Sequence, residues 1–159
     1  MANYKRVFEN GYSYFITIIT YHRKPILIEH IELLRKSFTY SKQRFDYRID
    51  EIVILPDHLH MIITPKNAVE YPKIIASVKA YFSRHMKVDA DETLRQSKCR
   101  YEKRYKPVWQ RRYYEHTIRN ESDWQEKVAY MRNNPVKHGL ADDILSWKYS
   151  SFAKRERCR

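Results

Sequence analysis

Apolar side chains fill both alternations of Tyr14-Phe15-Ile16-Thr17-Ile18-Ile19-Thr20-Tyr21, a β-branched and aromatic run. Such a run reads as a strand covered on both faces, central in its sheet. From Leu27 the spacing turns helical: Leu27, Ile31, Leu34 and Phe38 form one stripe, and the helix runs to about Arg44. Residues 49–55 form a second apolar strand, Pro56-Asp57 carries turn chemistry, and residues 58–64 form a third strand, making a hairpin. Ile74, Ile75, Val78 and Phe82 then predict a helix from about Val69 to Met86. Residues 87–107 lack periodicity and read as a basic connection, and 108–118 reads as a fourth strand. Asn120 is an N-cap, Glu121 and Asp123 suit the first turn of a last helix reaching about Asn134, and Lys137-His138-Gly139 terminates it.

Strand, helix, strand, strand, helix, strand, followed by an extra helix, is the order of an α+β ferredoxin-like sandwich. It predicts a four-stranded antiparallel sheet with two packing helices and an additional C-terminal helix. At 159 residues and 43% hydrophobic, the chain is expected to be a single domain spanning 1–159. Gly11 and Gly139 are the only glycines, so neither a phosphate-binding P-loop nor a dinucleotide fingerprint is present. Cys99 and Cys158 have no zinc or disulfide spacing and read as reduced thiols. No long apolar run or cleavable leader is visible, so a soluble, cytoplasmic protein is expected.

Charge narrows the class of partner. Lys and Arg number 31 against 19 Asp and Glu, a net +12, with a pI near 9.7. This excess favours a polyanion, and the absence of a long basic amphipathic helix favours nucleic acid over a membrane surface. Between Arg95 and Arg112, eight basic residues are interrupted by one acid, Glu102, and interleaved with Tyr101, Tyr105 and Trp109. Cations that track phosphates, with aromatics that stack bases, suit single-stranded nucleic acid. The same run also fits a charged loop beside core aromatics, and the C-terminal Lys154, Arg155, Arg157 and Arg159 fit a basic tail.

Two positions carry candidate chemistry. His58 and His60 stand two apart on the third strand, so both imidazoles point to one face while Leu59, Met61 and Ile63 point to the other. The pair fits either a metal site that needs a further ligand or two half-buried strand histidines. On the last helix Trp124, Val128 and Met131 form the packing stripe. Tyr130 lies roughly 120° from it, with Asn134 one turn further on. Tyr130 alone could equally be a boundary residue among 14 tyrosines, and Pro135 biases Asn134 away from helical geometry.

The strings Leu55-Pro56-Asp57-His58-Leu59-His60, Trp109-Gln110, Tyr114-Glu115-His116, Ile118-Arg119-Asn120 and Tyr130 through Asn133-Asn134-Pro135-Val136-Lys137-His138-Gly139 occur in this order. Together they resemble the REP-associated tyrosine transposases, in the single-tyrosine branch of the HUH endonucleases. The resemblance runs from Asn3-Tyr4 through Trp147 and Ser150-Ser151. It implies that His58 and His60 are paired metal ligands and that Tyr130 is the nucleophile, carried on the C-terminal helix. Asn134 stands where related transposases commonly place a glutamine as third ligand, which shortens that ligand here. The implied cofactor is Mg²⁺ or Mn²⁺, since a hard divalent ion polarises a phosphodiester. The implied product is a 5'-phosphotyrosine link with a free 3'-hydroxyl, formed on single-stranded or hairpin DNA of repetitive palindromic elements. Lys103, Arg104, Arg111, Arg112 and Arg119 are assigned as nucleic-acid contacts, and the protein as a monomer or homodimer.

Two other classes compete. A non-catalytic nucleic-acid-binding module on the same scaffold explains charge and aromatics but leaves the His pair and Tyr130 without a role. A metal-dependent nuclease acting through water predicts no covalent adduct and survival of cutting in Tyr130→Phe.

Overall fold

The structure, a computed structural model, describes Arg6, residues 8–88 and residues 95–153. Asn3-Tyr4, Cys158 and the basic residues Lys154, Arg155, Arg157 and Arg159 lie outside the described residues. Strands β1 (Ser13–Ile19), β2 (Tyr47–Ile54), β3 (His58–Pro65) and β4 (Tyr114–Ile118) form an antiparallel sheet in the order β2-β3-β1-β4. Helices α1 (Ile31–Lys42) and α2 (Tyr71–His85) cross between strands, α3 (Lys98–Glu102) is a single short turn, and α4 (Glu121–Lys137) follows β4. This is the expected α+β sandwich with an additional C-terminal helix.

β1 lies between β3 and β4, as its two-sided apolar pattern requires. Tyr14, Ile16 and Ile18 face α1 and α2, together with Leu59, Met61 and Ile63 of β3 and Leu34, Ile74, Val78 and Phe82 of the helices. The opposite face carries Phe15 and Ile62, against which α4 sets Val128 and Met131. Burial of each such side chain is worth about 1.5–3 kcal/mol. Strand parity therefore places His58 and His60 under α4, in register with Ile19 and Thr17 of β1.

Three boundaries differ from the sequence pattern. Leu27 is fully buried but precedes the helix, because its N–H bonds the Pro56 carbonyl at 2.9 Å and α1 begins only at Ile31. The fourth strand is shorter than 108–118. Thr17 pairs with Tyr114 and Thr20 with Trp109, leaving residues 110–113 opposite residues 18–19 alone. The Lys79 ammonium binds the carbonyls of Gln110 and Arg111 in this stretch, and the Trp109 indole N–H donates back to the Lys79 carbonyl. Third, α4 continues through Pro135 to Lys137.

The ends of α4 are well determined. Asn120 accepts the Asp123 N–H at 2.9 Å as N-cap. At the other end Gly139 takes φ +69°, its N–H bonds the Val136 carbonyl, and the Leu140 N–H bonds that of Pro135. This is a Schellman closure, in which glycine adopts the left-handed conformation without a Cβ penalty. After α4 the chain runs along β2: Tyr149 O accepts from Ile54 N–H, Trp147 Nε1 donates to Ile54 O, and Ser151 Oγ reaches the Glu51 carboxylate. This strap covers an otherwise open sheet edge.

Candidate active site

Two buried imidazoles form the floor of a cleft between β1, β3 and α4. Asp57 Oδ1 lies 2.6 Å from His58 Nδ1, and Thr17 Oγ1 lies 2.7 Å from His60 Nδ1. When each Nδ1–H is donated to these oxygens, each Nε2 keeps its lone pair for the cleft. The rings meet at a centroid distance of 4.9 Å. Burial, reinforced by the nearby His58, His138 and Arg23, pushes the His60 pKa down to about 3. His60 is thus neutral at physiological pH, the form in which imidazole binds a metal.

The cap over this floor comes from one face of α4. Tyr130 stands edge-on to His60 with centroids 5.1 Å apart, and also edge-on to Phe15 at 6.1 Å. Its side chain is 45% exposed, open to a substrate. Two turns further on, the His138 ring lies 5.2 Å from His58. Asn134, midway between them on the same helix face, is 1% exposed. Neither its amide oxygen nor its amide nitrogen has a hydrogen-bond partner among the described residues, and the same holds for His60 Nε2. A buried polar atom left unpaired costs about 1–3 kcal/mol, so His60 Nε2, which faces the cleft, and the Asn134 amide, which is not among the cleft's lining residues, are each candidates for a ligand.

A divalent ion fits this donor set. Among the described residues no three His, Cys, Asp or Glu side chains converge as ligands. An ion here would instead take His58, His60 and the Asn134 amide oxygen, with water completing a hard coordination shell. The cleft, about 590 Å³, is rimmed by Arg23, Lys127 and Lys137 against a single acid, Glu126, and so favours an anion. Lys127 lies over the Phe15 ring and 3.3 Å from Glu126.

The sequence-assigned cations stand elsewhere. Arg104 and Arg111 line a groove of about 590 Å³ between α2 and residues 100–113, which also holds Tyr105 and Trp109. Arg111 and Arg112 line a second, of about 450 Å³, with Tyr113 and Tyr114. Tyr114 also lines the cleft. Lys103 and Arg119 are exposed and line none of them. Part of the basic run serves the fold instead: Arg100 donates to the carbonyls of Lys106 and Trp109, and Lys106 to those of Ser83 and Arg84. His138 and Arg23 were not singled out by pattern; His138 could have been, eight residues after Tyr130 on one helix face, whereas Arg23 carries no sequence signal.

Comparison with known proteins gives the family to which this fold belongs. The family described as "Transposase IS200 like" matches residues 8–134. A Haemophilus influenzae protein assigned by name to the REP-associated tyrosine transposases is 36% identical over 154 residues, covering 96% of this chain and 86% of that one. The Escherichia coli REP-associated tyrosine transposase is 28% identical over 154 residues, covering 96% and 83%. A solved REP-associated tyrosine transposase bound to a REP hairpin superposes with a TM-score of 0.79 at 27% identity, over all of this chain and 87% of that one. The chain belongs to the IS200-like transposases and, within them, to the REP-associated tyrosine transposases, enzymes that act by phosphodiester transesterification.

Proposed function

We propose that the protein cuts and rejoins single-stranded DNA beside a hairpin, with Tyr130 as nucleophile and a divalent ion, Mg²⁺ or Mn²⁺, held by His58, His60 and Asn134. The observation that carries this reading is the neutral His60 imidazole, its Nε2 unpaired, 5.1 Å from the Tyr130 ring. The bound ion supplies charge neutralisation on the non-bridging oxygens of the scissile phosphate. The chain's own residues do the rest. His58 and His60 are oriented by Asp57 and Thr17. The α4 backbone holds Tyr130 at the cleft mouth, and the cationic rim draws the strand in.

In the step itself, the Tyr130 phenolic oxygen bonds to phosphorus as the bond from phosphorus to the 3'-oxygen breaks. The phenol proton is released and the departing oxygen ends as a 3'-hydroxyl, leaving a 5'-phosphotyrosine link. Reversal by a new 3'-hydroxyl joins strands without ATP. The depressions carrying Tyr114, Arg111, Arg112, Trp109 and Arg104 combine cations with aromatic faces and support binding of single-stranded or hairpin DNA. The hairpin named for the solved relative supports palindromic repeats as the partner. Lys103 and Arg119 are assigned to outer phosphates, the chain acts as one domain, and the reaction takes place in the cytoplasm.

The test is incubation of wild-type and Tyr130→Phe protein with 3'-labelled hairpin DNA from the flanks of its own gene, with Mn²⁺ or EDTA. Label on denatured protein, dependent on metal and lost in Tyr130→Phe, is expected. Cutting without an adduct would instead favour hydrolysis by water, and tight binding with neither would favour a binding module.

A further inference from the structure

The turn that follows β1 is built at a cost that packing does not explain. His22 and Arg23 take φ +52° and +53°, two successive left-handed residues with neither a glycine. Each costs roughly 1–2 kcal/mol, and such strain collects where geometry serves function. The surroundings hold it in place. Thr20 is fully buried, its N–H and hydroxyl both bond the Asp57 carbonyl, and the hydroxyl also reaches the Lys24 carbonyl. The Arg23 N–H bonds back to the Thr20 carbonyl at 3.1 Å.

The product of this arrangement is the position of one guanidinium. Arg23 Nη1 donates to Asp57 Oδ2 at 3.0 Å, while the other oxygen of that carboxylate receives His58 Nδ1 at 2.6 Å. The Arg23 side chain nevertheless stays 55% exposed and lines the same cleft as His58, His60 and Tyr130. A salt bridge needing only charge would not require a strained backbone, because an exposed pair is worth little. Arginine has five N–H donors in a rigid fork, so it can hold Asp57 with one and turn others to a second anion.

We infer that Arg23 binds the DNA phosphate next to the scissile one, on the His58 side of the cleft, and through Asp57 sets the orientation of His58. This rests on the function proposed above and adds a contact that fixes which linkage reaches Tyr130. Tyr130 stands beside His60, the His58 and His60 rings lie 4.9 Å apart, and the Arg23 guanidinium reaches His58 only through Asp57. Arg23 lies at the His58 end, so it meets the neighbouring linkage. Binding at one linkage then aligns the other for attack, and the same carboxylate carries the alignment to a metal ligand.

The experiment scans a single-stranded oligonucleotide from the gene's flank, placing one neutral methylphosphonate at each linkage in turn. Binding is measured in Mn²⁺ on the Tyr130→Phe background so that no strand is cut. With Arg23 present, neutralising one particular linkage weakens binding about tenfold to a hundredfold, the range of a lost charge-assisted hydrogen bond. In Arg23→Ala, binding to the unmodified strand falls by the same factor, that linkage becomes indifferent, and raising Mn²⁺ does not restore affinity. Arg23→Lys recovers part of the binding, as a point charge should. Asp57→Asn keeps the linkage pattern but needs more Mn²⁺. The inference is overturned if Arg23→Ala keeps the full linkage pattern, or if excess Mn²⁺ cures its defect, which would reduce Arg23 to a support for His58. Failure of the proposed reaction is read separately, as the lack of an adduct in protein with Tyr130 intact.

Discussion

The Tyr130 ring meets the His60 ring edge-on, centroids 5.1 Å apart and planes at 75°. The two are held there by unrelated means. His60 is fixed by strand register opposite Thr17, whereas Tyr130 is fixed by the burial of Met131 and Val128 on the adjoining face of α4. The separation of the two rings therefore depends on how firmly α4 is seated on the sheet.

Asn134 gives the first test of the site. Its amide is 1% exposed with no partner for oxygen or nitrogen, a cost without benefit unless a ligand arrives. Asn134→Leu, close in shape and apolar, should raise metal-free stability by about 1–2 kcal/mol. The same change should lower metal-dependent adduct formation by at least tenfold. Urea unfolding in EDTA, paired with the adduct assay, measures both; a destabilised yet active variant would remove Asn134 from the site.

The seating of α4 is tested through Met131, which is fully buried against Phe15, Ile62 and Phe152. Met131→Ala removes packing beneath the residue next to Tyr130 and should cost about 2–4 kcal/mol. If adduct formation falls while metal affinity holds, α4 positions the nucleophile independently of the His pair. Urea midpoints and Mn²⁺ titration of the variant decide this.

How much of this was legible beforehand varies with the range of the causes. His58 and His60 could be put on one face because strand alternation is local, and α4 could be started at Asn120 because capping is local. The sandwich followed from element order. The start of β4 was not legible, because an ammonium on α2 holds the Gln110 and Arg111 carbonyls where the chain leaves register with β1. Nor was the division of the basic run, since whether Arg100 meets a phosphate or a carbonyl depends on where α2 lies. His138 entered the site only because α4 passes through Pro135 and ends at Gly139. Arg23 entered through a left-handed turn made without glycine.

The hydrogen bond between Thr17 and His60 supports a third prediction. Thr17 Oγ1 is 2.7 Å from Nδ1 and buried, so it holds the ring orientation. Thr17→Val keeps the β-branched shape and removes only that oxygen. The Mn²⁺ concentration for half-maximal adduct formation should rise 10–100-fold, roughly the cost of losing a partner behind a metal ligand. Hairpin binding in EDTA should be unchanged, and an unaltered Mn²⁺ requirement would mean that His60 does not ligate the ion.

Stability at alkaline pH tests the clamp between α2 and the chain before β4. The Lys79 ammonium is pushed down from 10.5 to about 8, first by burial and then by the Arg100 guanidinium. Between those two values the unfolded chain keeps a proton on Lys79 that the folded chain has released. Stability should therefore rise with pH from about 8 to 10.5, by up to about 1.4 kcal/mol per pH unit from this group, and be flat in it below 8. Lys79→Met keeps the length and the apolar stem but loses both the titration and the bonds to the carbonyls of Gln110 and Arg111. Subtracting the variant's urea stability from that of the wild type across this range isolates the lysine from the tyrosines that titrate nearby. A difference that climbs with pH places the clamp where the structure has it; a difference independent of pH would mean that Lys79 is solvated and that another contact holds residues 111–113 out of register with β1.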